Sequence, residues 1–199
     1  MKNAALIILG LFLAVFSLFA ALYAERTCKA QWIYFNSRYG SRSEESLEEI
    51  TARCSEAYAI YPHNYYFSIY VSERNYYERK ASDGPGQDER LLKASLWCDR
   101  GLKQNFHKSQ LRRLKTRLLA RTSLDDAIVF WEEYVQWHFW EPYNHAVLAE
   151  MYAKRGDFSK AAQSLQWVKG TKHYPDAIKK FNKAWEKEKK PPDLRQIMN

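Results

Sequence analysis

At 199 residues, the chain has room for one folded domain, or for one domain and an anchor, and its 46% hydrophobic and 16% aromatic content is enough for a buried core. Only seven Gly and six Pro are present, and no polar-apolar alternation runs far; long segments of helical period dominate, so an all-α fold is expected. Cys28, Cys54 and Cys98 form no CxxC or CxxCH, which excludes a haem-attachment motif and argues against a zinc ribbon or a disulfide framework; the three read as buried free thiols, with a single bridge still open.

Ala4 to Tyr23 is a run of twenty uncharged residues. At about 1.5 Å per residue it spans a hydrocarbon core of roughly 30 Å. It lacks the polar face that a soluble helix would show. A cleavable signal peptide is the competing reading, but the run exceeds the usual h-region of about 7–15 residues. Leu22-Tyr23-Ala24 also lacks a small residue three places before the cut. Residues 1–24 are therefore expected to stay as a transmembrane anchor. Gly10, Ala14 and Ser17, four and three apart, make a small-residue stripe of the kind that packs transmembrane helices.

Lys2 on one side against Arg26, Lys29, Arg38 and Arg42 on the other places the soluble part in the cytoplasm by charge alone. The signal-like beginning favours export instead. Residues 25–42 read as a juxtamembrane helix or linker. Tyr23, Trp32, Tyr34, Phe35 and Tyr39 can sit at headgroup level, or Trp32 and Phe35 can join the first core helix; both hold if the anchor runs on to about Ser37.

Residues 43–190 read as a helical domain. Ser43, Glu44 and Glu45 open its first helix with acids in the first turn, and Leu47, Ile50, Cys54, Ala57 and Ile60 mark the apolar face before Pro62 ends it. A Tyr-rich helix follows over 64–80. Residues 81–87, Ala-Ser-Asp-Gly-Pro-Gly-Gln, form the clearest loop. A second helix carries Leu91 to Leu102. Leu111, Leu114, Leu118 and Leu119 then pair with Ala127, Phe130, Trp131 and Tyr134 across a capping signal, Ser123-Leu-Asp-Asp126. The segments 108–141 and 142–175 are each 34 residues long. In the second, Ala146, Ala149 and Ala153 share one face, and Gly156-Asp157 breaks and recaps the helix. Ala161, Leu165 and Val168 continue on its second helix, which Gly170 stops.

Leu148, Ala149, Tyr152, Gly156, Asp157, Phe158, Ala161 and Leu165 keep the spacing of one tetratricopeptide repeat, and the chain resembles that family over 43–189, most specifically over 108–175. His145 stands where the family has Trp, Ala149 where it has Gly and Leu165 where it has an aromatic, and Pro175 falls two residues late. In the preceding unit, Ala127 and Trp131 match the Ala and aromatic positions. The resemblance implies an α-solenoid of three to four helix hairpins, since one hairpin cannot bury its apolar face alone. It also implies a role in holding other proteins on the face built from the first helices, and it leans the localisation towards the periplasmic side of a bacterial inner membrane. A helix over 176–189, with Ile178, Phe181, Ala184 and Trp185 on one face, reads as the capping helix; 191–199 is a tail.

Chemistry-bearing patterns are sparse. His138, Glu141 and His145 have helical ligand spacing, but Pro142 breaks the helix between them, so a turn between repeats is the preferred reading. No phosphate-binding, metalloprotease or nucleophile-elbow motif occurs, and neither an enzyme nor a cofactor is expected. Net charge is +8 but uneven: residues 99–121 hold eight Lys or Arg against one acid, and 122–150 hold six acids and no Lys or Arg. The basic run over 100–121 suits a solvated face, or an acidic protein or lipid surface; nucleic acid is disfavoured because no reader motif accompanies it. Trp131, Trp167 and Trp185 sit at core-like positions. Tyr65, Tyr66, Tyr70, Trp137, Trp140, Arg112, Arg113 and Arg117 are the expected partner contacts. The expected role is that of a membrane-anchored scaffold or accessory subunit bound to other subunits of a membrane complex. The alternative is a soluble secreted adaptor with residues 1–24 removed.

Overall fold

The computed structural model describes residues 2–40, 45–77 and 87–189. Among these are nine α-helices and no strand: α1 Lys2–Tyr39, α2 Leu47–Ile60, α3 Tyr65–Tyr77, α4 Gln87–Gln104, α5 Ser109–Thr122, α6 Leu124–Trp137, α7 Pro142–Arg155, α8 Phe158–Val168 and α9 Tyr174–Lys189. One long apolar helix is thus followed by packed helical hairpins. The chain divides into two compact units, Met1–Leu111 and Arg112–Asn199.

In the first unit, α1 is long and apolar enough to cross a membrane: its most apolar stretch has a mean hydropathy of 2.6 and none of it is buried. The helix does not stop where the apolar run stops. It continues to Tyr39, and its far end enters the core, where Ala30, Ile33 and Tyr34 pack with Ile50, Cys54 and Ala57 of α2 and Phe67 and Val71 of α3. The Tyr70 hydroxyl donates to the Ser37 carbonyl at 2.7 Å, tying α3 to the end of α1. Of the two positions open to Trp32 and Phe35, headgroup level or this core, the core is not the one taken: both are exposed. A helix advances about 100° per residue, so the side that carries Ala30, Ile33 and Tyr34 turns Trp32 and Phe35 outward.

Helix α2 opens three residues later than the sequence suggests. Ser46 is its cap: the Glu49 N–H donates to Ser46 Oγ at 3.2 Å, and the Ser46 N–H donates to Glu49 Oε2 at 2.9 Å. Ser43 and Glu44 lie outside the described residues, and Glu45 precedes the cap, paired with Arg53 at 2.5 Å. The loop expected at 81–87 also lies outside them, apart from Gln87, which begins α4. Helices α3 and α4 pack closely because small residues face each other. A Cβ on Gly101 would stand 2.8 Å from Ser68 Cβ and 2.6 Å from Leu111 Cδ1.

The second unit follows the expected punctuation. Ser123 caps α6 by accepting from the Asp126 N–H at 3.1 Å. Gly156 ends α7 in the left-handed region, with φ of 86°, and Asp157 caps α8 by accepting from the Lys160 N–H at 3.1 Å. Trp131 is fully buried among Ala127, Ile128, Leu148 and Tyr152, and its indole N–H donates to the Asn144 carbonyl at 3.0 Å. Ala149, Ala161 and Ala177 are buried where α7, α8 and α9 meet. Helix α9 starts at Tyr174, two residues early, with Pro175 in its first turn, where a missing N–H costs nothing. Trp167 departs from its core-like position: it is 59% exposed and stacks on His145 with ring centroids 5.0 Å apart.

Of the three cysteines, Cys54 and Cys98 are buried, whereas Cys28 is exposed on α1, contrary to the expectation for all three. Burial pushes the Cys54 thiol up to about 12, and the charge of Glu45 adds to this. Alkylation of the native protein at neutral pH should therefore modify Cys28 and spare Cys54 until denaturant is added, as peptide mass spectrometry would show. Gly101→Val should destabilise the first unit by about 2 kcal/mol, because the new side chain meets Ser68 Cβ as well as a packed leucine; an unchanged melting temperature would refute the close α3–α4 approach.

Candidate partner-binding groove

Within the second unit, α5, α7 and α9 each lend a stripe of residues to one groove of about 350 Å³. From α5 come Arg113, Thr116, Arg117 and Ala120; from α7, Tyr143, Ala146, Val147, Glu150, Met151 and Lys154; from α9 and the turn before it, Lys172, His173, Asp176, Ala177 and Lys180. Spacings of three and four place each set on one helix face. Trp131, Met151 and Ala177 are buried and make an apolar floor.

The charges around this floor are ordered. Five Lys or Arg line the groove against two acids. Glu150 accepts from Lys154 at 2.6 Å and from Lys180 at 2.9 Å, and Lys180 also reaches Asp176 at 2.8 Å. Burial raises the Glu150 carboxyl, but the two lysine hydrogen bonds outweigh it and the net direction is down. Both acids are thus engaged within one wall, and Arg113, Arg117 and Lys172 complete the basic side of the lining. The Arg113 guanidinium lies over the Tyr143 ring, 5.4 Å from its centroid, and Tyr143 meets His173 edge-on at 5.4 Å. A cation over an aromatic ring, beside an apolar floor, suits an extended segment that carries both carboxylates and apolar side chains.

Of the residues expected to contact partners, Arg113 and Arg117 line this groove and Arg112 does not. Arg112 is fully buried. Its guanidinium lies 4.4 Å from the Phe130 ring centroid, and Nη1 donates to the Phe130 carbonyl at 3.4 Å and to Glu133 Oε2 at 3.3 Å. The physical reason is the helix turn: residues 112 and 113 lie about 100° apart, and α6 supplies a carboxylate, a carbonyl and a ring where Arg112 points. Tyr65 and Tyr66 stack at 4.6 Å on α3, with the Lys108 ammonium over both rings, while Tyr70 is half-buried and committed to Ser37. Trp137, the last residue of α6, and Trp140, in the turn that follows, are exposed and do not line the groove. Gly10, Ala14 and Ser17 are exposed along α1.

Tyr143, Glu150, Lys172, His173 and Lys180 were not anticipated. Their only signal is a three-to-four spacing on α7 and α9, which an ordinary amphipathic helix shares. His138, the C-cap of α6, and His145 lie on either side of the turn that begins α7, and among the described residues no cluster of His, Cys, Asp or Glu could hold a metal ion. Compared with known proteins, the chain matches no family model and no curated sequence.

Arg112→Ala should lower stability by about 2–4 kcal/mol, the range for emptying a large buried side chain, whereas Arg117→Ala should leave the melting temperature nearly unchanged. Equal effects of the two on a thermal melt would contradict the division between packing and groove.

Proposed function

We propose that the chain is a membrane-anchored, tetratricopeptide-like scaffold, an accessory subunit that holds an acidic, partly apolar segment of another subunit of a membrane complex. The observation that carries this reading is the groove, in which three helix faces join a basic rim to an apolar floor. The starts of α5, α7 and α9 lie 33 and 32 residues apart, which supports a repeat of the tetratricopeptide kind. In that family the first helices of successive hairpins line the holding surface, as α5 and α7 do here, with the capping helix α9 beside them.

The role is one of binding rather than of catalysis. Anchoring by α1 confines the groove to the membrane plane and raises its effective concentration towards membrane partners. A bacterial inner membrane with the soluble part in the periplasm is the setting proposed. Retention of residues 1–24 fits the passage of α1 through that point without a break.

The test is a gentle-detergent pull-down of the full-length protein from its native membrane, paired with the variant Arg113→Glu, Arg117→Glu, Lys172→Glu. A stoichiometric subunit should be held by the wild type and reduced at least about tenfold by the variant, the equivalent of about 1.4 kcal/mol. It should also leave at about 1 M salt, where the Debye length falls to about 3 Å. A partner retained equally by both proteins would remove the groove from the explanation, and an N-terminus at residue 25 would remove the anchor.

A further inference from the structure

The face of α1 opposite its contacts with α2 and α3 plays no part in the proposed groove, and it is exposed from Leu11 to Tyr39. Residues alternately three and four apart form one line along a helix. Inside the apolar stretch that line runs through Leu11, Ala14, Leu18 and Ala21. Beyond it the same line continues, without a slip, through Cys28, Trp32, Phe35 and Tyr39, with Glu25 falling between the two halves at the water boundary.

The outer half of the line is anomalous for a surface. Trp32, Phe35 and Tyr39 are 69%, 54% and 66% exposed, although the other side of the same turns is buried in the core through Ala30, Ile33 and Tyr34. Phe35 and Tyr39 stack with centroids 5.6 Å apart, so the stripe is continuous. A continuous exposed aromatic stripe marks an interaction site rather than a solvated face.

We propose that this line is a dimerisation seam, along which a second copy of the chain packs in parallel from within the membrane out to Tyr39. Three arguments select a second copy. Both copies enter the membrane by the same end, so their helices are parallel and the line meets itself in register. The core of the first unit packs on the opposite side of α1, through Ala30, Ile33 and Tyr34, and leaves Phe35 and Tyr39 exposed at the edge of a cleft beside Tyr66 and Ile69. The exposed area adds to this. Burying an aromatic side chain removes about 150–250 Å², so at these exposures the three rings of two copies offer on the order of 700 Å². That is the size of a weak soluble contact, below about 1,200 Å², and confinement of both helices to one membrane strengthens it by raising their effective concentration. Within the membrane, Ala14 and Ala21, flanked by Gly10 and Ser17, let the two backbones approach.

The inference rests on α1 crossing a membrane, and its test reports on that separately. Full-length protein in native membrane vesicles is oxidised with copper phenanthroline, then run without reductant. As two Cys28 thiols join, each gives up a proton and an electron, and copper takes the electrons. The expected product has twice the 23.6 kDa chain mass and disappears in Cys28→Ser. It should fall at least about fivefold in Trp32→Ala, Phe35→Ala, whose side chains lie at the surface and can be lost without unfolding the unit. Absence of this product from a chain that resists carbonate extraction would overturn the dimer while leaving the anchor intact. A product with a different protein, one unmoved by the aromatic substitutions, or one lost on dilution with lipid, as chance collisions are, would also overturn it. A chain extracted by carbonate would fail at the earlier step, the membrane crossing.

Discussion

Inside hydrocarbon no water is present to satisfy an open N–H or carbonyl, so a helix that spans a membrane must keep its hydrogen-bond ladder unbroken. In α1 the same ladder runs past the apolar stretch and into the core of the first unit. This continuity is the constraint on which the rest of the unit depends. The rotation that α1 adopts near Leu18 fixes, through 100° per residue, which side chains face α2 at residue 30 and beyond. Ala30, Ile33 and Tyr34 are the ones placed there. A flexible linker would let the rest of the unit turn freely about the apolar stretch; a continuous helix ties the two together, reinforced where Tyr70 reaches the Ser37 carbonyl.

Close approach is the second device, and it is set by small residues rather than by large ones. Gly101 opposite Ser68 brings α3 and α4 together, and Ala149, Ala161 and Ala177 do the same among α7, α8 and α9. Each small residue removes little apolar area by itself. Its effect is to let neighbouring large residues such as Trp97 and Trp131 be covered on all sides. The aromatic wealth of the chain then divides by geometry. Trp97 and Trp131 are buried, whereas Trp32, two residues from buried Tyr34, and Trp167, one residue from buried Val168, stay at the surface.

Local signals in the sequence carried much of the fold. Ser123, Gly156 and Asp157 could be placed because capping depends on residues within one turn of each other. Ser46 was within reach for the same reason, since Ser46 and Glu49 have capping-box spacing; Ser43 competed with it because it too precedes acidic residues. The exposures of Arg112 and Trp167 were not legible. A run of basic residues reads as a polar face, and nothing local announces that α6 will present Glu133, Phe130 and its carbonyl to Arg112 alone. Trp167 occupies a position of core-like spacing, but His145 comes from the neighbouring helix and offers it a stacking surface at the rim. The candidate groove was legible only through Arg113 and Arg117, because a groove is a relation between three helices and each stripe alone resembles any amphipathic helix.

The ion pairs inside the groove bear on how it would select a ligand. An exposed pair contributes little to stability, since solvent screens it and two long side chains must be ordered. Glu150 is different because it is half-buried and engaged by two lysines from two helices at once, with Asp176 sharing one of them. That arrangement holds α7 and α9 at a set separation before any ligand arrives, and pre-organisation of this kind lowers the ordering cost of binding. It also consumes the two acids that would otherwise repel a carboxylate. The lining as a whole still carries more cations than acids, so a ligand's negative groups would be drawn to it while its apolar side chains covered the floor. A basic rim beside an apolar floor confers orientation on a ligand more than affinity.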